Sequence, residues 1–222
     1  MIDNATIRAK ARAQLGGGIF KDKWLIMLLV CLLYTTIGGI VSSIPVLGWI
    51  GTLVVGGPLM YGLYKAILET VEGEKPKFES LIHGFTEDFS GNMILGLLQT
   101  LFVFLWTLLF IIPGIVKTYA YAMAFYLKRD CTKMGVTKEA KTYLDESSTM
   151  MEGHKMQLFL LDLSFFGWYF LGVLCFGVGT LFVVPYHEMA RANFYKELCA
   201  ENTPVIENTE SENSDEQDAT QE

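Results

Sequence analysis

Charged residues are missing from three long stretches of this 222-residue chain. No Asp, Glu, Lys or Arg occurs between Lys23 and Lys65, between Asp88 and Lys117, or between Asp162 and Glu188. A transmembrane helix needs only about 20 mostly apolar residues, so each stretch is long enough for one span, or for two if a charge is tolerated near an end. The chain is 51% hydrophobic and 18% charged, which argues against a soluble domain. The missing charges therefore predict a polytopic membrane protein.

The motifs of several enzyme and metal-site classes are missing as well. Four cysteines occur, but no CxxC pair and no Cys/His spacing typical of a metal site, so we expect free thiols. The segment from His187 to Arg191 comes nearest to the HExxH zinc-protease motif, but Arg191 stands where the second His is needed. No GxSxG elbow, P-loop or basic nucleic-acid patch occurs. We therefore expect no catalytic residues, no metal, no cofactor, no nucleic-acid partner and no enzymatic activity.

Acidic residues are concentrated at the end of the chain. The formal net charge is −7, but residues 201–222 hold eight of the 24 acids and neither Lys nor Arg. The rest of the chain is therefore close to neutral. Because residues 201–222 are also poor in apolar residues, we predict a membrane domain over 1–200 and a disordered acidic tail over 201–222.

Glycines and prolines, together with the charged residues that follow each apolar stretch, divide the three stretches into six predicted transmembrane helices. Pro45 and Gly48 break the first stretch, Pro113-Gly114 the second, and Phe176-Gly177 the third. The predicted spans are 24–41, 49–68, 93–112, 115–127, 156–174 and 180–195. The predicted fold class is therefore an all-α membrane protein with three hairpins, each preceded by a short amphipathic interfacial helix.

Basic residues indicate the orientation of the spans. They lie before the first span, between the second and third, between the fourth and fifth, and after the sixth, whereas the three opposite turns have none. The positive-inside rule therefore predicts that both termini face the cytoplasm. Lys117 is the basic residue that argues against this orientation.

Each predicted hairpin follows a segment with an apolar helical face and then a glycine. The three faces consist of Ile7, Ala11 and Leu15; of Phe78, Leu81, Ile82 and Phe85; and of Ala140, Tyr143, Leu144, Ser147 and Met151. One interpretation is a threefold repeat whose axis runs along the membrane normal. The other is that interfacial helices commonly precede hairpins in membrane proteins.

Several motifs resemble those of a known family. They are residues 112–121, Gly153-His154-Lys155, residues 161–165, and Pro185-Tyr186 with Glu188, Ala192, Phe194 and Tyr195. Over about residues 5–198 the chain resembles the DUF975 family of uncharacterised bacterial integral membrane proteins. It is more distantly similar to the membrane domain found ahead of some glycerophosphodiester phosphodiesterases. The resemblance implies a multi-helix protein of the bacterial cytoplasmic membrane, and it implies no activity.

Five polar residues in the predicted spans are candidate site residues: Lys117, Asp162, His187, Glu188 and Arg191. Charged groups in a bilayer are costly and often functional. The functional interpretation is a polar cluster between helices that binds a headgroup, an ion or a proton. The alternative is that Lys117 and Arg191 extend to opposite membrane faces while the acids pair locally.

Three functions stay open on the sequence alone. The first is a non-enzymatic helical bundle that interacts with membrane lipids, with other membrane proteins or with a second copy of itself. The second is a transporter or channel for a small or lipidic substrate, with spans broken at Pro58 and Pro185. The third is an intramembrane lipid enzyme using Asp162, His187 and Glu188, which ranks last because no acid–base geometry is visible.

Overall fold

A computed structural model describes residues 3–15, 22–43, 47–174 and 178–218, which are helical with no strand among them. The helices are α1 Asn4–Gln14, α2 Asp22–Ser42, α3 Leu47–Val71, α4 Glu79–Thr86, α5 Phe89–Leu109, α6 Ile111–Ala120, α7 Ala124–Lys133, α8 Ala140–Met150, α9 Lys155–Leu174 and α10 Val178–Asp218. In the described residues, α2 over Lys23–Ile40, α5 and α9 are long and apolar enough to cross a membrane. The all-α class is thus confirmed. The remaining three predicted spans stay predictions.

The long helices pair into three hairpins, and the short helices connect the hairpins. Helix α2 packs against α3, α5 against α6, and α9 against α10. The short helix α4 packs against α3, α8 against α7, and α1 against α10. We call the second helix of each hairpin the returning helix; in the second hairpin it consists of α6 and α7. Helices α4 and α8 each contact the returning helix of the hairpin that precedes them in the chain, and α1 contacts the returning helix of the last hairpin. The same contact in all three units supports the repeat interpretation.

The returning helices α3, α7 and α10 meet inside the bundle, and α2, α5 and α9 lie outside them. Each returning helix contributes one buried tyrosine to the centre, namely Tyr64, Tyr126 and Tyr195. The ring centroids of Tyr64 and Tyr126 are 4.4 Å apart, and those of Tyr126 and Tyr195 are 5.2 Å apart. These three side chains, which we call the tyrosine layer, join all three hairpins.

Two of the three predicted apolar faces are buried as expected. The α1 face (Ile7, Ala11 and Leu15) is buried, and in α8 four of the predicted residues are fully buried: Tyr143, Leu144, Ser147 and Met151. In α4 the prediction was wrong for Phe78 and Ile82, which are exposed. Helix α4 instead turns Leu81 and Gly84 inward, because it crosses α3 so closely that a Cβ at Gly84 would overlap the carbonyl oxygen of Pro58.

The predicted fourth span, 115–127, is not one helix, and Pro113-Gly114 does not end the third span. The chain breaks three residues earlier, at Phe110, whose backbone is extended with φ −157° and ψ 140°. Pro113 then lies in the first turn of α6, where its missing N–H costs no helical hydrogen bond. A second break separates α6 from α7.

Ser147 of α8 fills this second break. Its hydroxyl donates to the carbonyl oxygen of Ala120 at 2.8 Å and accepts from the backbone N–H of Met123 at 3.1 Å. Both backbone groups are buried, and a buried group without a partner would cost about 1–3 kcal/mol. The buried serine therefore replaces the helical hydrogen bonds that are lost where the returning helix is interrupted.

Helix α10 is helical as far as Asp218, which includes most of the tail for which the sequence predicts disorder. Once a helix is nucleated, each added residue gains a backbone hydrogen bond without a new nucleation cost. An acidic segment without an apolar face gains nothing from packing, so disorder of 201–222 and the boundary at residue 200 stay predictions. The predicted breaks at Pro45 and at Phe176-Gly177 lie outside the described residues.

Two neighbouring glycines in α3 provide a test of the close crossing between α3 and α5. A Cβ at Gly57 would overlap the backbone of Asn92, whereas a Cβ at Gly56 would meet nothing within 4 Å. Because the obstacle is backbone, Gly57→Ala should separate the helices and cost about 2 kcal/mol. Thermal unfolding of the purified protein in detergent measures this loss.

Gly56→Ala is the matched control, and its melting temperature should equal or exceed that of the parent because alanine favours helix. Equal melting temperatures for the two variants would contradict the close crossing.

Candidate functional site

An ion pair between Asp162 on α9 and Arg191 on α10 lies at the centre of the candidate site. Nε of Arg191 donates to Oδ1 of Asp162 at 3.1 Å, and a terminal nitrogen donates to Oδ2 at 2.8 Å. The exposed fractions of the two side chains are 17% and 23%. A forked pair that uses both carboxylate oxygens is stronger and more directional than a single contact. It therefore fixes α9 against α10 in the third hairpin.

His187 extends this ion pair into a chain of hydrogen bonds. Its Nε2 lies 2.8 Å from Oδ1 of Asp162, and its Nδ1 lies 3.0 Å from the hydroxyl of Tyr169. A neutral imidazole donates from Nε2 to the carboxylate and accepts the hydroxyl proton at Nδ1, and an imidazolium donates to both oxygens. The imidazole also packs against Phe165, with ring centroids 4.7 Å apart. Both ring nitrogens are thus used within the bundle.

Glu188 neighbours His187 in the sequence but takes no part in the hydrogen bonds of its imidazole. Its carboxylate is within electrostatic range of Arg191, and of Tyr34 on α2 and Tyr64 on α3. One carboxylate oxygen, Oε2, is buried and has no hydrogen-bond partner among the described residues. The same holds for the hydroxyl of Tyr126. Glu188 therefore differs from Asp162, because part of its hydrogen-bonding capacity is unused.

The structure does not bring Lys117 to the other four predicted site residues. Lys117 lies on α6 of the second hairpin, where its ammonium is 5.3 Å from the ring centroid of Trp106 and 5.5 Å from that of Tyr121. The faces of these rings attract a cation, which offsets part of the cost of placing it beside apolar helices. The polar cluster therefore consists of Asp162, His187, Glu188 and Arg191.

A second polar group, which the sequence analysis missed, joins the three hairpins at one end of the bundle. Glu72, just after α3, accepts hydrogen bonds at 2.7–2.9 Å from Arg129, Lys133 and Lys196. Asp130 accepts from Arg129 and from the hydroxyl of Tyr195, both at 2.9 Å. We call these residues the ion network and this end of the bundle the charged end. The hydrogen bond from Arg129 holds the pKa of Glu72 well below its usual range.

The signal for the ion network was present in the sequence but ambiguous. Charges of both signs follow the predicted returning spans, at Glu72, at Arg129-Asp130 and at Lys196-Glu197. Bases in these positions are also what the positive-inside rule expects, so their pairing was not evident. The tyrosine layer was similarly hidden, because tyrosines near span ends are common interfacial residues.

The polar groups follow one another along α10. Lys196 belongs to the ion network, Tyr195 to the tyrosine layer, and Arg191 and Glu188 to the polar cluster. At 1.5 Å of rise per residue, Glu188 lies about 12 Å along the helix from Lys196. From the charged end, the polar cluster therefore lies behind the ion network and the tyrosine layer.

A cleft of about 200 Å³ opens at the charged end, lined by residues that include Tyr61, Lys65, Glu87 and Arg129. Lys65 donates to Glu87 at 2.6 Å, and Tyr61 donates to the same carboxylate at 3.3 Å. Arg129 is bound to Glu72 and Asp130. Because these groups already bind one another, the cleft is a weak candidate for ligand binding.

The chemistry available to the polar cluster is limited by its internal pairing. Asp162 is shared between His187 and Arg191, so its charge is used to hold α9 against α10. In the part of the chain that the structure describes, no group of three or more His, Cys, Asp or Glu side chains is placed to hold a metal ion.

Comparison with known proteins identifies one family. A family model described as a protein of unknown function, DUF975, matches residues 1–139 and 111–202. No curated protein and no solved structure matches the chain significantly. The more distant similarity to the membrane domain of glycerophosphodiester phosphodiesterases stays a prediction.

Removing the carboxylate of Asp162 should destabilise the third hairpin. Asp162→Asn removes the carboxylate that accepts both hydrogen bonds from the mostly buried guanidinium of Arg191, which we expect to cost about 3 kcal/mol. The variant should accumulate less in membranes and melt earlier in detergent than the parent. Asp145→Asn, at an exposed position on α8, is the matched control. If both variants accumulate and melt like the parent, the ion pair does not stabilise the hairpin.

Neutralising Glu72 should loosen the charged end in a pH-dependent way. Glu72→Gln removes the acceptor for three cations, and we expect a loss of about 2 kcal/mol at pH 7. Because the folded protein holds the pKa of Glu72 below its ordinary value of 4.5, the stabilisation is complete above that pH and is lost as pH falls below it. Melting temperatures measured across this range should therefore converge for parent and variant.

Glu74→Gln controls for the loss of a nearby exposed carboxylate and should melt like the parent at every pH. A constant difference between Glu72→Gln and the parent down to low pH would show that the charge of Glu72 is not what stabilises this end.

Proposed function

The chain belongs to the DUF975 family of proteins of unknown function, and we propose that it is a non-enzymatic membrane protein that binds lipids or other membrane proteins. In this proposal its three hairpins form six spans in the cytoplasmic membrane of a bacterium. The outer helices face lipid, and the polar residues stabilise the inside of the bundle.

The apolar outer surface is the observation that carries this proposal. On α5, the connecting residue and α6, Leu108, Phe110 and Ile112 are between 67% and 76% exposed. On α9, Phe166 and Phe170 are more than 60% exposed. Exposing such a contiguous apolar surface to water would be strongly unfavourable. Ordinary soluble proteins expose far smaller apolar patches, mostly single residues. Lipid chains or the apolar surface of another membrane protein would cover it.

The charged end supports the proposed orientation. The bases that surround Glu72 lie at this end, and the positive-inside rule then places it in the cytoplasm. The returning spans would be α3, the interrupted helix of α6 and α7, and the first part of α10. Ser147 supports this assignment, because a break within a bilayer needs a partner for the backbone groups that it frees.

The internal pairing of the polar cluster supports a role without catalysis. Asp162, His187 and Arg191 are satisfied by one another and by Tyr169. A general acid or base would need a proton position open to a substrate.

A small transporter is the second candidate function, and it is favoured by the region around Glu188. One oxygen of Glu188 and the hydroxyl of Tyr126 are buried without partners among the described residues. The break between α6 and α7 is a feature of the discontinuous helices that form substrate sites in transporters. Pro58 and Pro185 lie inside the uninterrupted helices α3 and α10, so the predicted breaks at these prolines are wrong.

Membrane placement is tested by labelling single cysteines in intact cells with a membrane-impermeant maleimide. In a background whose own cysteines are replaced by serine, Ser43→Cys at the tip of the first hairpin should react from outside. Lys75→Cys at the charged end should react only after permeabilisation. The reverse pattern, or labelling of both sites in intact cells, contradicts the proposed orientation.

The binding role is tested on the same purified protein by native mass spectrometry. We expect phospholipid or a second copy of the chain to remain bound in a fixed ratio when detergent is stripped. A chain that stays monomeric, lipid-free and soluble after detergent removal would exclude this function.

A further inference from the structure

A groove opens at the charged end, between the first turn of α2 and the segment that joins α3 to α4. Its volume is about 340 Å³, and the described residues that line it are Lys23, Leu25, Ile26 and Lys75. Two of these residues are basic, the other two are apolar, and none of them is acidic. The groove therefore offers positive charge and apolar surface side by side.

The turn at Gly73 brings the two lysines to one place. Gly73 has φ 97°, a left-handed conformation that ends α3, and the N–H of Glu74 donates to the carbonyl oxygen of Glu69 at 2.9 Å. Nζ of Lys23 donates to the carbonyl oxygen of Gly73, also at 2.9 Å. This hydrogen bond joins α2 to the turn only two residues before Lys75, so both ammonium groups belong to the same groove.

The positive charge of the groove is not balanced within the described part of the chain. Lys75 is exposed, and neither Lys75 nor Lys23 pairs with a carboxylate there. The lysines of the ion network differ in this respect, because Lys133 and Lys196 both bind Glu72. The N-terminus of α2 adds a partial positive charge beside the lysines. An anion is therefore the ligand that suits the groove.

An apolar stripe on α2 continues from the groove. Leu25, Leu29 and Leu32 are spaced by four and three residues, so they lie on one face of the helix, and each is more than a third exposed. The apolar span of α2 begins at Lys23. In the proposed membrane placement the lysines thus lie at the membrane boundary and the stripe lies in the hydrocarbon. A free anion would contact only the lysines, whereas a phospholipid would contact both.

We propose that this groove binds one anionic phospholipid of the cytoplasmic leaflet, with its phosphate between Lys23 and Lys75 and an acyl chain along Leu25 and Leu29. The ammonium of Lys23 has two further N–H groups for the phosphate beside the one that binds Gly73. Lys75 supplies the second positive charge. The inference rests on the proposed lipid-binding function and membrane placement, and it adds the class of lipid and the site.

Native mass spectrometry of the purified, delipidated protein tests the inference, with phosphatidylglycerol added in increasing amounts to the detergent solution. We expect the species with one bound lipid to approach saturation before further lipids bind. Phosphatidylcholine with the same acyl chains should bind about tenfold more weakly, because its choline cancels the charge that the lysines attract. Inorganic phosphate at the same concentration should not displace phosphatidylglycerol, because it has no acyl chain to contact α2.

Lys75→Gln should weaken the apparent affinity for phosphatidylglycerol about fivefold, the effect of one lysine at a membrane surface. Lys77→Gln is the matched control and should bind like the parent, because Lys77 is an exposed lysine of the same segment outside the described lining of the groove. Lys23→Gln provides a second variant if Lys75→Gln does not fold, and it should weaken binding by a similar factor.

Equal binding of the two lipids, displacement by inorganic phosphate, or equal affinities of Lys75→Gln and Lys77→Gln would each overturn the inference. A parent that binds no phosphatidylglycerol but keeps a second copy of the chain would also overturn it, and would leave the proposed function standing. None of these results would alter the cysteine-labelling pattern, so failure of the phospholipid site and failure of the membrane placement are distinguishable.

Discussion

A polar group placed among apolar helices must find its partner inside the protein, and this requirement explains most of the described interior. Ser147 fills the break between α6 and α7 by binding one backbone donor and one backbone acceptor. Asp162 binds His187 and Arg191, and Tyr169 completes the chain. In each case the partner comes from a different helix. The cost of an unpaired polar group therefore acts as a packing force that holds particular helices together.

The repeated arrangement of the hairpins follows from the same requirement. Returning helices carry the tyrosines and the charged ends, so they pack inside, where these groups can meet. The short helices α1, α4 and α8 then cover the returning helix of the preceding hairpin. Close approach of the backbones adds to this packing, as at Gly84 and Gly57, because small residues allow helices to gain van der Waals contact. The outer helices are left with apolar surfaces that only lipid or another apolar partner suits.

The sequence predicted the features that depend on a local pattern of residues. It failed for features that depend on contacts between residues far apart in the chain. The predicted spans 24–41, 93–112 and 156–174 lie close to α2, α5 and α9, because each is an uninterrupted apolar run. The break at Phe110 was missed, since a proline three residues later can sit in the first turn of a helix. Asp162 and Arg191 were both among the candidate residues of the predicted polar cluster, but Lys117 was not excluded from it. The ion network was missed because Glu72 meets Arg129 and Lys196, which lie 57 and 124 positions away in the sequence.

Glu72 and Glu188 show how environment, and not residue type, separates a structural charge from a candidate binding group. Glu72 accepts four hydrogen bonds from three cations, so its charge is fully used in joining the hairpins. Glu188 lies about 12 Å further along the bundle, beyond the tyrosine layer, and its Oε2 meets no donor in the described part of the chain. A buried carboxylate oxygen without a donor costs free energy, so Glu188 stabilises the bundle less through hydrogen bonds than Glu72 does.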